Sequence, residues 1–154
     1  MKPLLAALIL LAPIPAAAFP AVITTCHDGD TCTTSSGIHV RVAEIDAPEI
    51  DQPYGTQARN VMCAMVCGKP VDVEPRGQSY NRLVGLIRVN GVDTSEAMVA
   101  AGAAWDYARY DRDPTMPALQ AQARQQGRGL WADPQAIPPW EWRREHRKPW
   151  YASR

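Results

Sequence analysis

The segment Val40-Arg41-Val42-Ala43-Glu44-Ile45-Asp46-Ala47-Pro48-Glu49 decides how the rest of the chain is read. Its first half alternates β-branched apolar residues with other types, the pattern of a half-buried strand, and Asp46-Ala47-Pro48 turns the chain out of the sheet. On such a strand Arg41, Ala43 and Ile45 share one face, while Val42 and Glu44 share the other. An arginine and carboxylates gathered at a strand end are either solvated surface charges, the ordinary fate of charged residues, or the beginning of a site. The remainder of the chain decides between them.

Upstream, residues 21–25 form a short β-prone run, His27-Asp28-Gly29-Asp30 a turn, residues 31–34 a returning strand and Ser35-Ser36-Gly37 a second turn. With residues 38–45 these make a three-strand meander. Downstream, Ala58, Val61, Met62, Met65 and Val66 recur every three or four positions, which predicts an amphipathic helix over 54–67, stopped by Gly68 and Pro70. Residues 71–74 and 83–89 read as two further strands, the second closing at Asn90-Gly91, a hairpin signal. Asp93 followed by Glu96 resembles a capping box opening a short helix over 95–101, ended by Gly102. Residues 103–107 fit neither pattern cleanly. A third helix opens at Asp113-Pro114 and runs to Gln126. Short strands in this order, with a helix between the third and fourth, predict a β-rich α+β fold: a five-stranded OB-fold barrel with three helices.

A chain of 154 residues fits one folded domain, and 46% hydrophobic content is enough for a core. Lysine plus arginine equal aspartate plus glutamate at 16 each, which excludes a protein that coats nucleic acid through an overall basic field; contact with nucleic acid must rest on local clusters. Residues 1–18 read as a secretory signal peptide: Met1-Lys2 is the basic start, residues 4–11 the apolar core and Ala16-Ala17-Ala18 the cleavage site, leaving Phe19 as the new terminus. The apolar run is shorter than the roughly 20 residues that span a bilayer. The expectation is a periplasmic or secreted protein, not membrane-bound after cleavage and working as a monomer. Its body spans 19–132, and a tail rich in proline, tryptophan and arginine follows over 133–154. Trp131, Trp140 and Trp142 are expected to pack the tail on the body and the final arginines to be solvated. The alternative is that tryptophan and arginine together stack on a nucleic-acid strand.

Export changes the meaning of Cys26, Cys32, Cys63 and Cys67, because an oxidising compartment favours disulfides. Their spacing lacks partnering histidines and is not that of a zinc finger. Cys63 and Cys67 stand at i and i+4 of the predicted helix, where Cβ atoms lie about 5–6 Å apart, beyond the ~3.5–4.5 Å that a disulfide needs. A bond between them is disfavoured, and the expected arrangement is two bridges tying the hairpin of Cys26 and Cys32 to the helix. Four buried thiols are the other possibility.

Asp28-Gly29-Asp30-Thr31, Val40-Arg41 with Ile45-Asp46-Ala47-Pro48-Glu49, Tyr80-Asn81-Arg82, and Gly127-Arg128-Gly129-Leu130-Trp131 follow one another along the chain. In order and spacing these motifs resemble the staphylococcal nuclease (thermonuclease) family, over residues 20–132. The resemblance implies an OB-fold barrel with three helices and a calcium-dependent phosphodiesterase that cleaves DNA and RNA to 3′-phosphate ends. It implies that Asp30 and Asp46 are Ca²⁺ carboxylates, that the Ala47 carbonyl is a further oxygen and that Asp28 lies nearby. It also implies that Glu49 is the catalytic glutamate and that Arg41 and Arg82 are phosphate-clamping arginines. Tyr80 and Tyr110 fall at substrate-contacting positions. The chemistry is coherent on its own terms, since Ca²⁺ takes hard oxygen donors and guanidinium groups bind phosphoryl oxygens in pairs. This chain departs from the family at Gln78-Ser79-Tyr80-Asn81-Arg82, where Asp-x-Tyr-Gly-Arg is usual, and at Ala108, a second tyrosine position. Asn81, tolerant of left-handed backbone, is expected to stand in for the glycine. The rival reading is an inactive OB-fold module of the cell envelope that binds nucleic acid or protein, and a third is a disulfide-stapled structural domain; calcium should stabilise only the nuclease.

Overall fold

The computed structural model describes residues 17–109 and 113–146. Strands β1 (Phe19–Cys26), β2 (Thr31–Thr34) and β3 (His39–Val42) form the expected antiparallel meander. A two-residue strand, β4 (Ile45–Asp46), precedes helix α1 (Gly55–Val66), and strands β5 (Pro70–Ser79) and β6 (Arg82–Val89) follow as a long hairpin. β1 pairs with β5, and β3 runs parallel to β6, with Val40 opposite Leu83 and Val42 opposite Gly85. That pairing closes β1, β2, β3, β5 and β6 into the five-stranded OB-fold barrel, so the closed sheet leaves no long free edge.

The interior is filled by branched apolar side chains that the strand alternation turns inward, among them Ile23, Val40, Val42, Val73 and Ile87. Ala58, Met62 and Val66, four residues apart on α1, are all fully buried against it. Strand β7 (Val92–Asp93) leads into α2 (Thr94–Ala100), where Asp93 caps the helix by accepting the Ser95 N–H at 2.8 Å. Strand β8 (Trp105–Asp106), helix α3 (Met116–Gln125), a 3₁₀ turn at Gly129–Ala132 and helix α4 (Pro139–Glu145) complete the fold. α3 starts at Met116 because Asp113 Oδ1 first accepts both the N–H and the hydroxyl of Thr115, closing a local turn in place of a first helical turn.

Three expectations are corrected here. The strand read over 38–45 is interrupted: Glu44 takes a left-handed φ of 68° and Ala43 donates to the Gly85 carbonyl, so the chain leaves the barrel and pairs β4 with β8. The alternation that set Arg41, Ala43 and Ile45 on one face therefore ends at Val42, and Ala43, Glu44, Ile45 and Asp46 are all buried. The described residues hold four α-helices, not three; α4 has only seven residues and no apolar repeat long enough to reveal it, and it opens with Pro139 in its first turn. The cysteines pair differently as well. Cys67 is the extended C-cap of α1 (φ −63°, ψ 129°) rather than a helical residue, which brings its Cα to 4.9 Å from that of Cys63 and allows the two to bond. Cys26 and Cys32 remain thiols, directly opposite each other on β1 and β2 with sulfurs 2.6 Å apart.

Candidate active site

The site is built where β3 leaves the barrel. The turn from His27 to Thr31 is drawn tight by Asp28, whose Oδ1 accepts the Asp30 N–H at 2.9 Å, and by the Asp30 carbonyl, which accepts the Val42 N–H at 2.7 Å. Gly29 lets this turn lie flat on the neighbouring chain: a Cβ there would stand 2.6 Å from the Ala47 Cβ and 3.0 Å from that of Ala58. Asp30 is thereby carried to the N–H of Ala47, which donates to its Oδ2 at 2.8 Å, while the Thr31 hydroxyl donates to Oδ1.

Arg41 sits between the two buried aspartates. Its Nη2 lies 3.1 Å from Asp46 Oδ1 and 3.2 Å from Asp30 Oδ2, and its Nη1 donates to the Val42 carbonyl at 2.6 Å. Asp46, whose side chain is 0% exposed, is held at the end of β4. Burial raises the pKa of both carboxyls. Asp30 is pushed up to about 6, with Arg41 pulling it back and Asp28 adding to the rise; Asp46 is raised by burial and by Asp30, against the hydrogen bonds from Arg143. Two carboxylates placed where water cannot solvate them and where each repels the other form a site that a cation relieves.

Glu49 stands one turn further along, its side chain about one-third exposed, and its backbone is set by Gln52. The Gln52 side chain accepts the Glu49 N–H at 3.1 Å and donates to the Ile137 carbonyl at 2.6 Å. Arg82, at the start of β6, reaches the Thr31 hydroxyl at 3.4 Å. Tyr80, 97% exposed, forms the tip of the β5–β6 hairpin. Asp28, Asp30, Arg41, Asp46, Glu49, Tyr80 and Arg82 all line one cleft of ≈ 850 Å³, and Ala47 is buried beside it. Residues quoted from four separate strands and loops thus meet in one place. Tyr110 lies outside the described residues. The four cysteines do not line the cleft; they sit together, with Cys26 and Cys67 sulfurs 3.8 Å apart. The left-handed residue of the hairpin tip is Tyr80 (φ 56°) and not Asn81, so the strain expected at the glycine-replacing position falls on the tyrosine and turns its ring into solvent.

Two residues of the site escaped the sequence reading. Gln52 carries no signal beyond its polarity. Arg143, expected to be solvated, donates from Nη2 to Asp46 Oδ2 at 2.7 Å and from Nη1 to Glu49 Oε1 at 2.6 Å and Asp46 Oδ1 at 3.1 Å. It is aimed by Trp140, three residues earlier on the same helical face, whose ring packs edge-on against Trp105 and stacks on Tyr107, each at 5.6 Å. Trp131 packs on Trp105 at 4.3 Å, as expected of the tail, but Trp142 stacks on His146 of its own helix segment. With Trp140 seen as the anchor of a short helix, Arg143 would have been legible.

The donor set suits an oxygen-seeking divalent cation: two carboxylates and a nearby backbone carbonyl, with no nitrogen or sulfur ligand among the described residues lining the cleft. The arginines suit a phosphoryl group. Comparison with known proteins points the same way. Residues 39–133 match the family model described as "Staphylococcal nuclease homologue". An Escherichia coli protein named an uncharacterized endonuclease is 43% identical over 126 residues, covering 79% of this chain and 81% of that one. A Haemophilus influenzae protein of the same name is 35% identical over 130 residues, covering 81% and 73%. The rice protein named probable staphylococcal-like nuclease CAN1 is 40% identical over 109 residues, covering 70% of this chain and 33% of its own.

Proposed function

The chain belongs to the staphylococcal nuclease family, and on that premise we propose that it is an exported, calcium-dependent nuclease that hydrolyses phosphodiester bonds of DNA and RNA with little sequence preference. The observation that carries this reading is Arg41 bridging Asp30 and Asp46 within 3.2 Å at the floor of a cleft whose rim holds Glu49, Arg82 and Tyr80. Asp30, Asp46 and the Ala47 carbonyl would hold the calcium, leaving further positions for water and a phosphate oxygen, since Ca²⁺ takes about 6–8 oxygen ligands. When bound, the ion supplies Lewis-acid polarisation of the phosphoryl group.

The chain's own groups do the rest. Glu49, at the edge of the cleft, accepts a proton from the attacking water or orients it. Arg41, paired with Asp30, and Arg82, beside the Thr31 hydroxyl, line the same cleft and neutralise charge growing on the phosphoryl oxygens. Tyr80 offers an exposed ring to a base, and stacking of this kind accepts any base. None of these contacts reads a base edge, which is why low sequence preference is part of the proposal. The signal-like start of the sequence supports export to a periplasm or beyond, and a complete cluster within one chain supports a monomeric enzyme.

The test is release of acid-soluble nucleotides from single-stranded DNA and from RNA, in calcium and in chelator, beside Glu49→Ala and Arg41→Ala. Cleavage should require calcium and fall by about 10²–10³ in each variant. A folded, calcium-loaded protein that cleaves neither polymer would leave an OB-fold module that only binds.

A further inference from the structure

We propose that Arg143 is a latch on the metal site: its guanidinium occupies the carboxylates of Asp46 and Glu49 and must be displaced before a divalent cation can take them. The inference rests on the metal-site reading of the cluster and extends it to the C-terminal helix.

Both oxygens of Asp46 are already engaged. Oδ1 accepts from Arg41 and from Arg143, Oδ2 accepts from Arg143 at 2.7 Å, and the side chain is closed to solvent. The Glu49 Oε1 is taken by the same guanidinium at 2.6 Å. A cation that used Asp46 and approached Glu49 would meet a positive charge in its path, so one arginine has to leave. Arg41 is poorly placed to do so: it projects from a barrel strand, its Nη1 is tied to the Val42 carbonyl, and its side chain is 16% exposed. Arg143 is the mobile partner. It projects from a seven-residue helix, is 43% exposed and, among the described residues, donates hydrogen bonds only to these two carboxylates.

The anchors of α4 do not depend on that contact. Trp140 is held by Trp105 and Tyr107, and the Ile137 carbonyl by Gln52, all on the N-terminal side of Arg143. Arg143 therefore swings out by side-chain rotation while α4 stays seated. In the metal-free protein it offsets the repulsion between buried carboxylates; in the metal-loaded protein it is expelled toward the open side of the cleft. The latch lowers affinity for the ion, because binding must first break a charge-assisted fork.

The experiment is calorimetric titration of Ca²⁺ into the full chain and into Arg143→Met, which keeps an unbranched stem about as long as the aliphatic part of arginine and removes the charged guanidinium. Asp46→Asn serves as the control that destroys the site, and calcium-induced shifts in Tm are measured on all three. The expected result is that Arg143→Met binds Ca²⁺ about tenfold tighter than the parent, the scale set by losing a hydrogen-bonded charge pair, and has a lower Tm in chelator. Equal or weaker Ca²⁺ binding in Arg143→Met, with binding abolished by Asp46→Asn, would overturn the latch and leave the metal site standing. Absence of Ca²⁺ binding in the parent and in Arg143→Met alike would overturn both.

Discussion

Replacing Arg41 by alanine tests the electrostatic design of the cluster most directly. The substitution removes the guanidinium nitrogen that lies within 3.2 Å of both the Asp30 and the Asp46 carboxylates. Breaking a buried ion pair from one side costs about 3–5 kcal/mol, because the charge left behind is neither solvated nor paired. Here each aspartate keeps a partner: Asp30 retains the Ala47 N–H and the Thr31 hydroxyl, and Asp46 retains Arg143. The loss should therefore fall at the lower end, about 3 kcal/mol, a large fraction of the ~5–15 kcal/mol that holds a domain together. Urea unfolding in chelator measures it. On the proposed reading calcium would compensate the same two carboxylates as Arg41, and the variant should then bind the ion more tightly. A tenfold gain in affinity would narrow the stability deficit by about 1.4 kcal/mol at saturating calcium. Cleavage should stay lost in both conditions, since calcium would recover part of the stability but not the phosphate clamp proposed for Arg41. A deficit identical in calcium and in chelator would refute the idea that ion and arginine share these carboxylates, and no deficit in chelator would refute the ion pair itself.

Asp30 predicts an unusual dependence on pH in the metal-free protein. Its pKa is raised on folding from the ordinary 3.8 to about 6, so the native state holds this proton more firmly than the unfolded chain; the associated stability is complete below about pH 4 and is lost as pH rises through 6, by at most about 3 kcal/mol. Urea unfolding in chelator between pH 4 and 7 should show the parent losing stability relative to Asp30→Asn as pH rises, and a constant difference would contradict the assignment. Cys26 and Cys32, opposed on β1 and β2 with sulfurs 2.6 Å apart, should close under a mild thiol oxidant and gain about 2 kcal/mol from the shortened unfolded chain. Thiol titration of the unfolded, unreduced protein should report both thiols before the oxidant and neither afterwards; two thiols surviving oxidation would refute the pairing.

What the sequence determined by itself was whatever depends on neighbours along the chain. Period-two patterns marked the strands of the barrel, the three-and-four spacing of Ala58, Met62 and Val66 marked α1, and Asp-Gly and Asn-Gly pairs marked the turns, because these signals arise from local backbone geometry. The acid and arginine motifs were legible for the same reason: each sits in a short stretch with its own turn chemistry. Tertiary structure decided the rest. Glu44 adopts a left-handed backbone because the chain must pass from β3 to a pairing with β8, a partner some sixty residues away. Cys67 reaches Cys63 because α1 ends one residue before it, a boundary that no periodicity marks. Arg143 reaches Asp46 across 97 positions because Trp140 finds a seat on Trp105 and Tyr107, and that seat exists only once the barrel and β8 are in place. Local sequence specifies which groups a site can contain; long-range packing specifies which of them touch, since the energy of a buried charge depends on everything that surrounds it.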